Sequence, residues 1–257
     1  MREAVASSVA RSQPDQPAAD VSRIGGETRR LVYSAGHRNL IDNIDLGLSS
    51  TSLTVVMGPN GAGKSLLLRL MHGLIAPTAG EVRWDGQPMD MNLRARQALV
   101  FQRPVLLRRS VAANIRFVLK HRDNNSAGRL QELLEEVGLE DRAGQPARLL
   151  SGGEQQRLAL ARAMAVRPRV MFMDEPTTSL DPAATASIES IVMRAHQRGV
   201  KIIFVTHDLG QARRLADDVV FLNRGRLVEH SAAARFFQQP ESRAARDYLA
   251  GRLVLGS

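Results

Sequence analysis

The chain has 257 residues, a formal net charge of +9 and no cysteine, which leaves room for one substantial core, or one core with a helical annex, and excludes disulfides and thiolate metal sites. No apolar run is long enough to span a bilayer. The charge does not by itself indicate nucleic acid: all but three of the 35 cationic side chains are arginine, scattered along the chain, and one Trp and two Tyr offer no stacking platform. An Arg-for-Lys bias in composition accounts for it, with a basic face toward an anionic membrane as the open alternative.

Residues 1–27 are rich in Ala, Ser, Pro and Gln with mixed charge and read as a disordered tail. They lack the apolar centre of a secretory signal, and Glu3, Asp15 and Asp20 are foreign to a transit peptide. Strands are expected near Arg30–Ser34 and Leu40–Leu48, forming an antiparallel part with Glu81–Gly86. The apolar run Leu53–Met57 predicts a buried strand, followed by GPNGAGKS (Gly58–Ser65) and a helix starting near Gly63. Ala98–Phe101 predicts another strand, ending at Gln102. A helical insert over about 103–165 follows, with SVAANIRFVLKH and SAGRLQELLEEVGL carrying apolar residues at helical spacing. LSGGEQQR (Leu150–Arg157) opens a further amphipathic helix. Val170–Met173, Ile202–Val205 and Val219–Leu222 are short apolar runs alternating with helical stretches, the pattern of a largely parallel sheet in an α/β fold. Past Gly225, FFQQPESRAARDYLAG predicts a closing helical segment, with no added β-domain behind it.

Three of these segments carry chemistry. GPNGAGKS matches G-x-x-x-x-G-K-[ST] between a strand and a helix. Gly58, Gly61 and Gly63 let the backbone curl onto an anion, with Pro59, Asn60 and Ala62 completing the loop. Lys64 is expected to reach the β- and γ-phosphates of a nucleotide and the Ser65 hydroxyl to hold Mg²⁺. Charge-assisted hydrogen bonds of about 1.5–3 kcal/mol each suffice together for micromolar binding. RVMFMDEP delivers Asp174 and Glu175 at a strand end, and alternation along the strand sends them to different tasks. Ser151, Gly152 and Gly153 lie at a helix N-terminus, an anion site without a lysine of its own, with Ser151 as the N-cap.

The phosphate loop followed by LSGGEQQR and the Asp-Glu strand resembles the nucleotide-binding domain of the ATP-binding cassette family, over nearly the whole chain from about Leu31 to Leu253. The resemblance implies a P-loop NTPase core with a mostly parallel sheet, an N-terminal antiparallel β subdomain and an inserted α-helical subdomain, together one domain over 28–253. It implies ATP and Mg²⁺ as ligands, with Asp174 on the metal and Glu175 as general base. Gln102 resembles the loop residue that senses the metal and faces a membrane partner. Ser179, Leu180 and Asp181 resemble the loop that speaks across a dimer, and His207 the histidine at the γ-phosphate. Tyr33 lies where the family has an aromatic on adenine. One phosphate loop and one signature per chain imply half of two composite sites, hence a head-to-tail homodimer. Transmembrane permease subunits, a substrate-binding protein if the system imports, and a peripheral place on the cytoplasmic face of the cell membrane follow from the resemblance; no nucleic acid is expected. Phe101–Ile115 and Gly58–Gly80 are similar to tungstate-type oxyanion importers, more than to phosphate or polar amino-acid branches. Ser49–Thr51 departs from the family, which has a glycine in that turn. Soluble translation or repair ATPases and a regulatory cassette are the alternatives. The interval between Gln102 and Ser151 is too short for the coiled coil of the repair class, and Glu175 and His207 argue for turnover.

Overall fold

The computed structural model describes residues 24–120 and 126–252. Most of the expected tail lies outside the described residues, but Gly26 and Glu27, its last two positions, belong to the first strand. β1 (Gly26–Ala35) and β2 (Arg38–Leu48) pair antiparallel. Their register shifts around Arg30 and Asn43, which take φ of 45° and 53°. Such bulges twist the ribbon and let Leu31, Ile41, Ile44 and Leu46 all turn inward.

β3 (Thr54–Met57) is wholly buried and runs through the phosphate loop into α1 (Lys64–Met71). β4 (Ala79–Trp84) returns to pair with β1, and β5 (Gln87–Pro88) closes that four-stranded sheet. α2 (Met91–Ala95) leads into β6 (Gln97–Val100). The helical insert holds α3 (Val111–Leu119) and α4 (Ser126–Glu136), and α5 (Gly152–Ala165) returns the chain to the core. Asn114 is buried and holds the preceding loop on α3: its Oδ1 accepts from the Leu107 amide at 2.8 Å, and its Nδ2 donates to the Leu107 and Ser110 carbonyls.

β7 (Val170–Asp174), α6 (Pro182–Gln197), β8 (Lys201–Val205), α7 (Leu209–Leu215) and β9 (Asp218–Asn223) complete the α/β alternation. β10 (Arg226–Ala232), α8 (Ala233–Gln238) and α9 (Arg243–Leu249) end the described chain. The second sheet has the order β10-β9-β3-β8-β7-β6, parallel except for the β9–β10 pair. The sequence pattern does not mark β10, and the closing helical segment consists of two helices that flank Pro240.

Strand alternation divides the interior in two. Val55, Met57, Met171, Met173, Ile202, Phe204, Val219 and Phe221 face the helical side. Val56, Val170, Phe172, Ile203, Val205, Val220 and Leu222 face α1 and the antiparallel sheet, where Trp84 packs edge-on to Phe172. Both faces of the parallel strands are covered, so a fully apolar strand is required rather than an alternating one.

His72, at the end of α1, stands edge-on to Phe172 with ring centroids 5.6 Å apart, and its Nδ1 has no hydrogen-bond partner among the described residues. Burial, with the nearby Arg94 charge adding to it, pushes its pKa from 6.5 down to about 4. The unfolded chain therefore binds a proton that the native chain refuses. Stability from this residue is complete above pH 6.5 and is lost as pH falls toward 4. Urea unfolding is expected to show about 2–3 kcal/mol less stability at pH 4.5 than at pH 7 from this group, and His72→Leu is expected to remove that share of the slope.

The exit of β3 is as tightly constrained. Gly58 takes φ of 146°, and a Cβ there would lie 2.1 Å from the Leu222 carbonyl oxygen on β9. Gly61 also has a positive φ, 77°, but a Cβ there would meet nothing within 4 Å. Gly61→Ala is therefore expected to cost only the left-handed backbone, about 1–2 kcal/mol. Gly58→Ala must in addition displace β9, and thermal unfolding is expected to report a much larger loss of Tm.

Candidate functional site

Parallel pairing brings three strand ends together. Val56 of β3 pairs with Val205 of β8, and Val205 pairs with Asp174 of β7. The phosphate loop, the two acids and His207 therefore leave the sheet at one end, the carboxyl end at which open α/β sheets bind ligands. The loop is fixed from behind: the Ala62 amide donates to the Pro59 carbonyl at 3.1 Å, the Gly225 amide to the Ala62 carbonyl at 2.9 Å, and the Asp42 amide to the Gly225 carbonyl at 2.8 Å. Pro59, Asn60 and Gly61 form its outer rim.

Gly63 caps α1 in a left-handed conformation, with no side chain accepting from the helix's first amides. Those amides, at the positive end of the helix, remain available to an anion. Lys64 is buried, and its Nζ donates to the carbonyls of Gly58 at 2.8 Å and Pro59 at 3.1 Å. Burial pushes its pKa down, while Glu175 and Asp174 oppose that shift. The Ser65 hydroxyl donates to Asp174 Oδ1 at 2.7 Å. Burial pushes the Asp174 carboxyl up, and the Ser65 hydrogen bond works against it.

This donor set suits a small hard cation. A hydroxyl and a carboxylate oxygen are hydrogen-bonded to each other, and among the described residues no group of three or more His, Cys, Asp or Glu could hold a metal alone. Such a pair would suit Mg²⁺, which takes oxygen ligands.

Glu175 leaves the strand with φ of 47°, its amide donating to the Val205 carbonyl. That turn separates its carboxylate from that of Asp174. Its Oε2 lies 3.1 Å from His207 Nδ1 and accepts from the Thr178 hydroxyl at 3.1 Å. His207 is half exposed, so the pair opens to solvent. Gln102, two residues past β6 on the neighbouring strand, is exposed and makes no side-chain hydrogen bond among the described residues. Tyr33 pairs with Ile41 across β1–β2, and a Cβ on Gly63 would fall 2.9 Å from Ile41 Cδ1, so Tyr33 stands on the strand pair that backs the loop.

Ser151, Gly152 and Gly153 lie elsewhere. Ser151 and Glu154 form a capping box at the start of α5, with the Ser151 amide donating to Glu154 Oε2 at 2.8 Å. The glycines face the start of α6: a Cβ on Gly153 would lie 2.7 Å from Ala184 Cβ, and one on Gly152 3.4 Å from Leu180. Asp181 caps α6 through the Ala184 amide at 2.8 Å, so these groups cluster with one another and not with Lys64. One neighbour of the site escaped sequence reasoning. Tyr248 on α9 packs on Phe221, centroids 5.2 Å apart, with its phenol beside the Gly58 backbone. Burial and the charge of Glu175 push that phenol's pKa up. Tyr248 stands so far along the chain from Gly58 that no local motif could have marked it.

Known proteins resemble this chain in sequence and fold. The family model described as ABC transporter matches residues 41–178. The phosphate import ATP-binding protein PstB of Mycoplasmoides gallisepticum is 32% identical over 242 residues, covering 87% of this chain and 74% of that protein. CbiO1 of Clostridium perfringens, part of the ABC transporter complex CbiONQ, superposes with a TM-score of 0.77 at 27% identity, covering 84% of this chain and 91% of that one. The ATP-binding cassette MJ0796, in a dimeric post-hydrolysis state with ADP and Pi, superposes at 0.73 with 27% identity, over 81% of this chain and 98% of that one. No helix among the described residues is long and apolar enough to cross a membrane. The chain belongs to the ABC transporter family, as an ATP-hydrolysing subunit.

Proposed function

We propose that the chain powers import of a tetrahedral oxyanion, tungstate in the first instance, as one of two identical ATPase subunits bound beneath transmembrane permease subunits on the cytoplasmic face of the membrane. A substrate-binding protein completes the system. The observation that carries the catalytic part is the hydrogen-bonded Ser65–Asp174 pair beside the Glu175–His207 pair at one sheet end.

In this reading Lys64 and the uncapped amides of α1 neutralise the β- and γ-phosphates, with Pro59, Asn60, Gly61 and Ala62 shaping the loop around them. Ser65 and Asp174, with Gln102 from the adjoining loop, would hold Mg²⁺, which would supply charge neutralisation on the phosphate oxygens. Tyr33 packs on the adenine. Glu175 accepts a proton from the attacking water. His207 orients that water and the γ-phosphate, and its contact with Glu175 keeps both groups in place. Ser151, Gly152 and Gly153 offer their helix N-terminus to the γ-phosphate held by the other subunit, and Asp181 communicates across the joint. Hydrolysis removes the bridging phosphate and the halves part, which the permease converts into alternating access.

The cargo rests on two supports. Phe101–Ile115 and Gly58–Gly80 resemble tungstate-type importers, and the PstB relative is by name a phosphate importer, another tetrahedral oxyanion. With the permease and binding protein reconstituted, tungstate is expected to stimulate ATP turnover above phosphate and sulfate; stimulation by none of these anions removes the cargo assignment.

Glu175→Gln is expected to slow hydrolysis about 10²–10⁴-fold through loss of the general base, while light scattering detects an ATP-bound dimer that persists. Wild-type turnover in this variant would remove Glu175 from the mechanism. Lys64→Ala is expected to abolish nucleotide binding, measured by calorimetry; unchanged affinity contradicts the phosphate-loop assignment.

A further inference from the structure

The geometry points to Thr177, Gln211 and Glu189 as positioning residues for hydrolysis, forming a hydrogen-bonded strut between the turn that carries Glu175 and the helix that follows His207. The inference rests on the assignment of Glu175 and His207 to the hydrolytic step.

Glu189 is a buried carboxylate on α6, 9% exposed, with no part in the chemistry described above. Arg214 of α7 grips it from the outer side, Nε to Oε2 at 3.0 Å and Nη2 to Oε1 at 2.7 Å. From inside, Gln211 Nε2 donates to Glu189 Oε1 at 3.0 Å. The carboxylate can only accept, so the Gln211 amide must turn its nitrogen toward Glu189 and its oxygen the other way. That oxygen faces the Thr177 hydroxyl at 3.1 Å, which is thereby forced to donate. Every orientation in the chain is set by its charged end.

The strut's two ends matter for where they attach. Thr177 is two residues beyond Glu175 and adjacent to Thr178, whose hydroxyl bonds Glu175 Oε2. Gln211 is fully buried in the first turn of α7, where its amide donates to the cap Asp208 at 2.8 Å, one residue past His207. The strut thus fixes the separation of two backbone segments whose side chains meet at 3.1 Å in the Glu175–His207 contact. With the Arg214 side chain 56% exposed, its ion pair with Glu189 contributes little to stability, whereas the two-pronged geometry of the guanidinium is specific. α6 also touches the signature helix, through Arg157 and Ser187 at 3.5 Å and through Ala184 against Gly153, so the strut hangs from the element that contacts LSGGEQQR.

The test uses the purified full chain and four variants: Thr177→Val, which keeps the shape and loses the donor; Thr177→Ser, which keeps the donor; Glu189→Gln; and the Thr177→Val/Glu189→Gln double. Steady-state ATP turnover, nucleotide affinity and Tm are measured for each. Thr177→Val and Glu189→Gln are each expected to lower kcat about 5–20-fold with ATP affinity within about twofold of wild type. Thr177→Ser is expected to restore kcat to within about twofold, and the double variant to be little slower than either single one. Equal impairment of Thr177→Val and Thr177→Ser, or a kcat loss that only follows Tm, overturns the strut. Glu175→Gln run alongside separates the two failures. An inactive Glu175→Gln with fully active Thr177→Val and Glu189→Gln overturns the strut alone, whereas an active Glu175→Gln overturns the hydrolytic assignment beneath it.

Discussion

Parallel hydrogen bonding among β3, β8 and β7 is the constraint from which the site follows. It sets Val56, Val205 and Asp174 abreast, so whatever leaves those strands does so in one plane. The register is secured at the opposite end of the sheet. Lys201, fully buried at the start of β8, donates to the Ser52 carbonyl at 2.7 Å and the Thr54 hydroxyl at 2.8 Å, and the Thr54 hydroxyl donates to Asp218 Oδ1 at 2.8 Å. Three strand starts are thereby joined through one ammonium and one hydroxyl. Burial lowers the Lys201 pKa to about 8, with Asp218 and Asp217 opposing the shift. A desolvated cation at that place costs stability at neutral pH, and what it supplies in return is a fixed offset between strands. A slip by one residue would exchange the two cores and separate Ser65 from Asp174.

What the sequence made legible is what is encoded within a few residues. GPNGAGKS, LSGGEQQR, RVMFMDEP and KIIFVTHD each combine an apolar strand or helical period with the functional group at its end, and each lies in the element expected. The chain's end was harder to read because its structure depends on distant partners. β10 contains Glu229, His230 and Ser231, a poor strand signature, yet it pairs along β9 over Arg226–Ala232. Glu229 is buried there, and its carboxylate accepts from the amides of Glu241 at 3.1 Å and Ser242 at 2.9 Å. Those bonds hold its pKa below the usual range against the effect of burial. They also capture the backbone within the expected helical segment, so α8 ends before Pro240 and α9 starts afresh under a Ser242 cap. Helical periodicity reports which residues face inward; it does not report a carboxylate on another strand competing for the amides.

The same distinction applies to the active end. Lys64, Ser65, Asp174, Glu175 and His207 are recognisable by type and order. The parts that set their distances are not: the Gly225 amide on Ala62 and Leu222 pressed against Gly58 come from remote parts of the chain. Loop shape is determined by β9 and β10 as much as by the loop's own glycines. Gly58 is required less for freedom of the backbone than for the absence of a side chain against β9.

LSGGEQQR gives the remaining step. Its first turn is built to approach something closely, with Ser151 and Glu154 capping each other and two glycines in place of side chains. Gly153 uses that closeness on Ala184, which locks α5 against α6. Ser151 and Gly152 remain exposed, and their neighbours are Leu180 and the cap of α6 rather than the phosphate loop. The capping box satisfies the Ser151 and Glu154 amides, while the Gly152 and Gly153 amides of the same turn have no acceptor among the described residues, which leaves the turn electrostatically unfinished. The phosphate loop is unfinished in the complementary sense, since one side of a bound γ-phosphate would face water. Under the proposed function, two copies related by a twofold axis would satisfy both requirements at once, because each isologous contact occurs twice. The dimer of MJ0796 with ADP and Pi is one solved instance of a relative in which two such chains associate. Pairing of two copies of this chain belongs to the proposed function, and what supports it is the exposed Ser151–Gly152 turn together with the uncapped first amides of α1.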